Sequence, residues 1–255
     1  MGALPDGLGE ALRSHRAVRG PLSGDRRAAR RCAAERVGLI DVGRPAGLNL
    51  NVDRVGIFYG DNQTLGDVSS PVQLECSVVG DRRIPSVPIP DVAARIVLDR
   101  APLDMCNPVH RNRIRPADDR SPHLDDEIAL AESSPPQQIS GDPITALADA
   151  VSCVPDRALP VVITTWSLSR FSPERRRRFV HALGEVSSAR RTAWVSVEGV
   201  GVVPTIPTLG DRPVSGHSII GLTVFEPSTA LPRFDVAGDA LGRCWSRGRF
   251  MSWFA

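Results

Sequence analysis

Three aspartates, Asp41, Asp99 and Asp142, each stand where an apolar run gives way to a turn. Two glycines, Gly43 and Gly47, bracket Arg44-Pro45-Ala46 directly after the first of these runs. A carboxylate only accepts hydrogen bonds, so it suits ligand groups that donate, such as hydroxyls and amino groups. Glycines let a ligand come close to the backbone, and a helix start after such a turn offers free N–H groups. Together these residues could form a pocket for a small polar ligand. Trp166 and Glu198 end two later runs and are candidates for groups beside a reacting centre. Each position also has a purely structural reading. Asp41 can bond the turn backbone, Asp99 can end a strand, and Asp142 can cap a helix. Trp166 can be a core or lid aromatic, and Glu198 a cap or ion-pair partner.

Several chemistries are excluded. All 31 basic residues are arginine, so there is no lysine for a Schiff base or a P-loop. No GxSxG elbow and no HExxH pair occurs. The five cysteines are scattered, odd in number and without CxxC spacing, which fits a reducing cytoplasm and argues against a zinc site. Cys106 and His110 lie four apart, but two ligands do not make a metal site. The net charge of +2 gives no pull toward nucleic acid or membrane, and no apolar run approaches a membrane span. Arg-rich stretches at 25–36 and 175–178 read as solvated helix faces, because no aromatic is interleaved in the first and the second wraps its helix.

The elements that must position the candidates follow from periodicity. Residues 1–36 read as an N-terminal arm ending in a short helix, and 37–255 as one α/β domain. Val37 to Val42 is a buried strand, and Leu48, Val52 and Val55 share one face of a following helix. An inserted hairpin is expected at about 55–90, containing the alternating run Val72 to Val79. Ala94 to Leu98 is the second main strand, with Asp99 at its carboxyl end, and residues 100–120 read as loop. Ser121-Pro122 starts a helix carrying Leu124, Ile128 and Ala131. Gln137 to Ser140 is a third strand, and Asp142-Pro143 opens a helix with Ile144, Leu147 and Val151 inward. Pro160 to Trp166 is a β-branched central strand. Ser172-Pro173-Glu174 caps a helix with Phe179, Leu183 and Val186 inward. Thr192 to Val197 is a fifth strand. Ser218 to Phe225 and Asp239 to Trp245 form a terminal antiparallel hairpin, with His217 exposed in the loop before it.

This order predicts a Rossmann-like, doubly wound, mostly parallel sheet ending in an antiparallel hairpin. It resembles the class I methyltransferase fold, in which the last strand inserts antiparallel into the sheet. The resemblance implies S-adenosylmethionine as cofactor. Asp41, Gly43 and Gly47 would then hold its methionine end, Asp99 its ribose and Asp142 its adenine amino group. Methyl transfer depends chiefly on alignment, with Trp166 and Glu198 near the acceptor. A nicotinamide enzyme would need GxGxxG, which is absent.

A longer resemblance covers roughly 37–255. Stretches such as DVGRPAGLNLNVDR (41–54), SGDPITAL (140–147), LPVVITTWSLSRFSPERRRRFV (159–180) and LGRCWSRGRFMSWFA (241–255) are similar to the mostly actinobacterial family called domain of unknown function 2332. The family pattern implies small residues where this chain has Arg44-Pro45, and histidines where it has Trp245-Ser-Arg-Gly248. Those departures imply the alternative of a decayed, non-catalytic scaffold or a partner-binding protein.

Overall fold

The structure is a computed structural model that describes residues 28, 32, 34–60, 63–85, 89–115, 123–227, 236–245 and 248–254. The expected arm, most of the 25–36 helix and the Ser121-Pro122 helix start lie outside the described residues.

The centre of the molecule is a sheet of nine strands in the order β5 (Ser77–Val78), β12 (Phe250–Trp253), β11 (Asp239–Trp245), β10 (Ser218–Phe225), β9 (Thr192–Gly199), β8 (Leu159–Thr165), β1 (Arg36–Val42), β6 (Asp91–Asp99) and β7 (Gln137–Ser140). β1 (Arg36–Val42) pairs in parallel with β6 (Asp91–Asp99) on one side and β8 (Leu159–Thr165) on the other. β7 (Gln137–Ser140) and β9 (Thr192–Gly199) extend this parallel centre outward. All seven residues of β8 are buried, as a continuous β-branched run between two neighbours requires.

The sheet has an apolar layer on each face. Leu39, Val97, Val161 and Val195 point one way, and Ile40, Leu98, Val162 and Trp194 the other. Connections after β1 and β6 cover the first face, with α2 (Leu124–Ser133) contacting the segment that follows β1. Connections after β7 and β8 cover the second face with α3 (Leu147–Ser152) and α4 (Pro173–Val186). The covering face therefore changes at β1. Such a switch point opens a crevice beyond the carboxyl ends of the strands.

Local sequence explains the elements. In α4, Ser172 Oγ accepts the Arg175 N–H at 3.3 Å, Pro173 occupies the first turn, and Phe179 and Leu183 are fully buried. The segment after β1 differs from expectation. Leu48–Arg54 is a 3₁₀ helix broken at Asn51, with Leu48 through Val52 all buried. It is covered on every side, so it has no polar face for a helical period to reveal.

The insertion is also more elaborate than one hairpin. β2 (Gly56–Phe58) and β3 (Thr64–Gly66) form an antiparallel hairpin, and β4 (Gln73–Glu75) joins β2 in parallel. The alternating run splits at Cys76, and its second half, β5 (Ser77–Val78), pairs with the edge of the large sheet. In the expected loop 100–120, α1 (Pro108–Ile114) forms, capped by Asn107 Oδ1 accepting the Val109 N–H at 2.9 Å.

The terminal hairpin is present as β10 (Ser218–Phe225) and β11 (Asp239–Trp245), but no strand is inserted. β10 lies antiparallel beside β9, with β11 outside it. The link from β9 to β10 contains no α-helix to carry the chain across the sheet, so β10 returns beside its predecessor. A further strand, β12 (Phe250–Trp253), completes the meander.

Candidate functional site

The turn after β1 is closed on itself. Gly43 N–H donates to Leu98 O at 2.9 Å and Gly47 N–H to Arg44 O at 3.1 Å, while Pro45 has no N–H. The free backbone donors expected at this turn are therefore absent among Gly43, Pro45 and Gly47. Gly47 is left-handed (φ 60°), and a Cβ there would lie 2.4 Å from Val97 Cγ2. This glycine serves tight packing of the turn on β6.

Arg44 occupies the switch point. Its side chain is buried, with Nε donating to Thr165 O at 2.6 Å and the guanidinium 5.7 Å from the Trp166 ring centroid. Burial pulls the guanidinium down to about 10, Asp41 pushes it back up, Arg170 lowers it and Glu198 raises it. A buried cation thus sits within the fields of two buried carboxylates, which is the arrangement that keeps such charges tolerable.

Glu198 is wholly buried at the end of β9. Its Oε1 accepts N–H bonds from Ser167 and Leu168, both at 3.0 Å, and Oε2 accepts from Ser169 at 3.3 Å. It thereby fixes the turn after β8. Burial pushes its carboxyl up to about 7, against the pull of those donors and of Arg44. Trp166, at φ 48°, begins this turn, and its Nε1 donates to Ser218 Oγ at 2.7 Å. Neither residue lines the neighbouring cleft. Asp41 is fully buried on the first face of the sheet, beneath Arg44, and does not line it either.

That cleft, about 360 Å³, lies at the carboxyl ends of β1 and β6. Gly43, Pro45, Asp99 and Leu103 form part of its wall, with Pro143, next to Asp142, contributing from the loop after β7. Asp99 Oδ1 accepts the Ala101 N–H at 2.8 Å, and its Oδ2 makes no hydrogen bond among the described residues. Asp142 Oδ1 caps the following turn by accepting the Ile144 N–H, and Oδ2 accepts from Arg100 at 2.5 Å and Arg175 at 2.8 Å. Partial burial pushes the Asp142 carboxyl upward, but both guanidiniums and the Ile144 N–H outweigh it and hold it well below the usual carboxylate range. Of the five expected binding residues, the structure brings Gly43 and Asp99 to the cleft wall and Asp142 to its margin. Asp41 and Gly47 lie beneath.

Residues 22–253 match the pattern of a family described as an uncharacterized protein conserved in bacteria, DUF2332. The chain belongs to the DUF2332 family. No curated protein and no solved structure matches it.

In this DUF2332 chain, sequence reading missed the arginines. Arg100, Arg113, Arg170 and Arg175 all line the cleft. Arg170 Nη2 donates to Gly43 O at 2.6 Å. The 175–178 block was expected to be solvated, which holds for Arg177 and Arg178. Arg175 instead lies over the Phe171 ring at 4.8 Å, and Arg176 Nε donates to Leu168 O at 3.0 Å. A turn of helix after a short capped turn brings the first two arginines back over their own loop, which a count of charges per turn does not show. His217 is also placed differently from expectation. Its side chain is 7% exposed and its Nε2 lies 2.9 Å from Asp211 Oδ2, which Arg243 Nε also reaches at 2.6 Å. No helix among the described residues is long and apolar enough to cross a membrane. Among those residues, no group of three or more His, Cys, Asp or Glu is arranged to hold a metal.

Proposed function

We propose that the cleft at the carboxyl ends of β1 and β6 binds S-adenosylmethionine, in a methyltransferase-like protein whose acceptor enters from the arginine side. The observation that carries this reading is the convergence of Gly43, Asp99 and Pro143 on one cleft from three successive strand ends. Asp99 fits a ribose, since its Oδ2 is available to accept from a hydroxyl. Asp142 fits less directly, because two arginines already hold the oxygen that would meet an adenine amino group. The cofactor would supply an electrophilic methyl group. The contribution of this chain would be to align it with an acceptor.

The test is thermal unfolding with and without S-adenosylmethionine or S-adenosylhomocysteine, followed by calorimetry. At about 100 times the dissociation constant the ligand should add roughly 2.7 kcal/mol of stability. Asp99→Ala should abolish the shift. A folded sample that shows none rejects the reading.

The placement of Arg44 favours a second reading, a non-catalytic scaffold. Its buried side chain fills the ends of β1 and β8, and Glu198 is engaged in holding a loop. If neither cofactor form binds, this becomes the better account.

A further inference from the structure

The cleft wall carries more positive charge than its own carboxylates neutralise. Four guanidiniums, of Arg100, Arg113, Arg170 and Arg175, face Asp99 and the marginal Asp142. Arg100 and Arg175 share a single oxygen, Oδ2 of Asp142. Arg170 is held by a neutral partner, the Gly43 carbonyl. Arg113, on α1, makes no ion pair or hydrogen bond among the described residues. Behind the cleft, the buried Arg44 guanidinium repels Arg170, but Asp41 and Glu198 lie beside Arg44 and offset it, so the surplus is that of the wall itself. A concave wall with this surplus focuses a positive potential into the space it encloses. Guanidiniums offer paired N–H donors that match the oxygens of a phosphate or carboxylate.

We infer that the cleft is an oxyanion site, with Arg113 and Arg170 receiving a phosphate or carboxylate group of a small ligand. Arg170 is held in place by Gly43, so its remaining N–H groups are presented in a fixed direction. Arg113 projects from the first helix after β6, so the ligand is gripped from both sides of the cleft. Asp99, on the same wall, would accept from a hydroxyl of that ligand. The inference goes beyond the cofactor reading and stands without it. Two sources could provide the anion, the carboxylate of the cofactor's methionine end or an anionic group on the acceptor.

The experiment is calorimetric titration of the full chain with inorganic phosphate, with ionic strength held constant by sodium chloride. Saturable binding is expected. Arg113→Gln should weaken it by about ten- to a hundredfold, as should Arg170→Gln, whereas Arg82→Gln, at an exposed position outside the cleft lining, should leave it unchanged. Arg113 is exposed, so its variant keeps the native unfolding temperature even where Arg170→Gln disturbs the Gly43 turn. Absence of saturable phosphate binding, or equal affinity in Arg113→Gln, overturns the inference. Repeating the titration with saturating S-adenosylhomocysteine separates the sources. In a chain that binds S-adenosylhomocysteine, competition assigns the site to the cofactor's carboxylate, and undiminished phosphate binding assigns it to the acceptor. Phosphate binding by a chain that ignores S-adenosylhomocysteine would sustain the oxyanion site while rejecting the cofactor reading.

Discussion

Arg44 and Glu198 show how a single side chain can decide what a switch point is used for. Arg44 reaches the Thr165 carbonyl across 121 positions of sequence, and Glu198 gathers three N–H groups from the turn next to it. Replacing Arg44 with methionine removes the cation but leaves Asp41 and Glu198 buried. The expected loss is about 3–5 kcal/mol, read from urea unfolding. Glu198 gives the chain a pH signature. Folded, its carboxyl keeps a proton up to about 7, whereas the unfolded carboxyl releases it near 4.5. Between those values the unfolded state binds fewer protons, so stability falls as pH rises, by up to about 1.4 kcal/mol per unit. The contribution is intact below 4.5 and gone above 7. Glu198→Gln should flatten this slope, seen in unfolding temperature series as a difference from wild type that changes between pH 4.5 and 7 and is constant above it. The structural reading of Glu198 as a cap or ion-pair partner agrees with its bonds to the turn after β8, but which turn it holds, and the burial of Arg44 against Thr165, depend on partners that only folding brings near.

At the scale of elements, the parallel centre was legible and the segment between β1 and β2 was not. The runs at 37–42, 94–98, 160–166 and 192–197 are apolar, β-branched and bounded by turn residues, and each became a strand. The spacing of Leu48, Val52 and Val55 predicts one apolar face of a helix, but in the 3₁₀ segment Asn49 and Asn51 are buried as well. Burial of an asparagine leaves no mark in an apolar period. Helix α1 was missed although Asn107-Pro108 is a helix-start pair, because its own length buries only Ile114. The turn before the 3₁₀ segment makes its own prediction. Gly47→Ala would force a side chain into left-handed backbone and against Val97. A loss of about 3 kcal/mol is expected, from strain and overpacking together, measured by chemical denaturation. In α4, Ser172→Ala should cost about 0.5–1 kcal/mol through its cap, a useful internal scale for the larger effects.

For the whole molecule, the decisive feature is that the sheet joins distant parts of the chain. The sequence showed five parallel strands and a hairpin but not β12, a short run bounded by arginines and aromatics with little alternation. Yet Met251 and Trp253 are buried in the same core layer as Leu39 and Val161. Met251→Ala should therefore cost about 2–5 kcal/mol, as global unfolding would show. The partner of β12 is β5, with Val79 N–H donating to Met251 O at 2.7 Å and Ser77 N–H to Arg249 O at 2.8 Å. This pairing fixes the timing of synthesis. About 170 residues separate the two strands, so at roughly 5–20 residues per second the ribosome delivers β12 about 9–34 s after β5. Throughout that interval the β5 edge is an open template for any other extended chain. The arrival of β12 is what withdraws it.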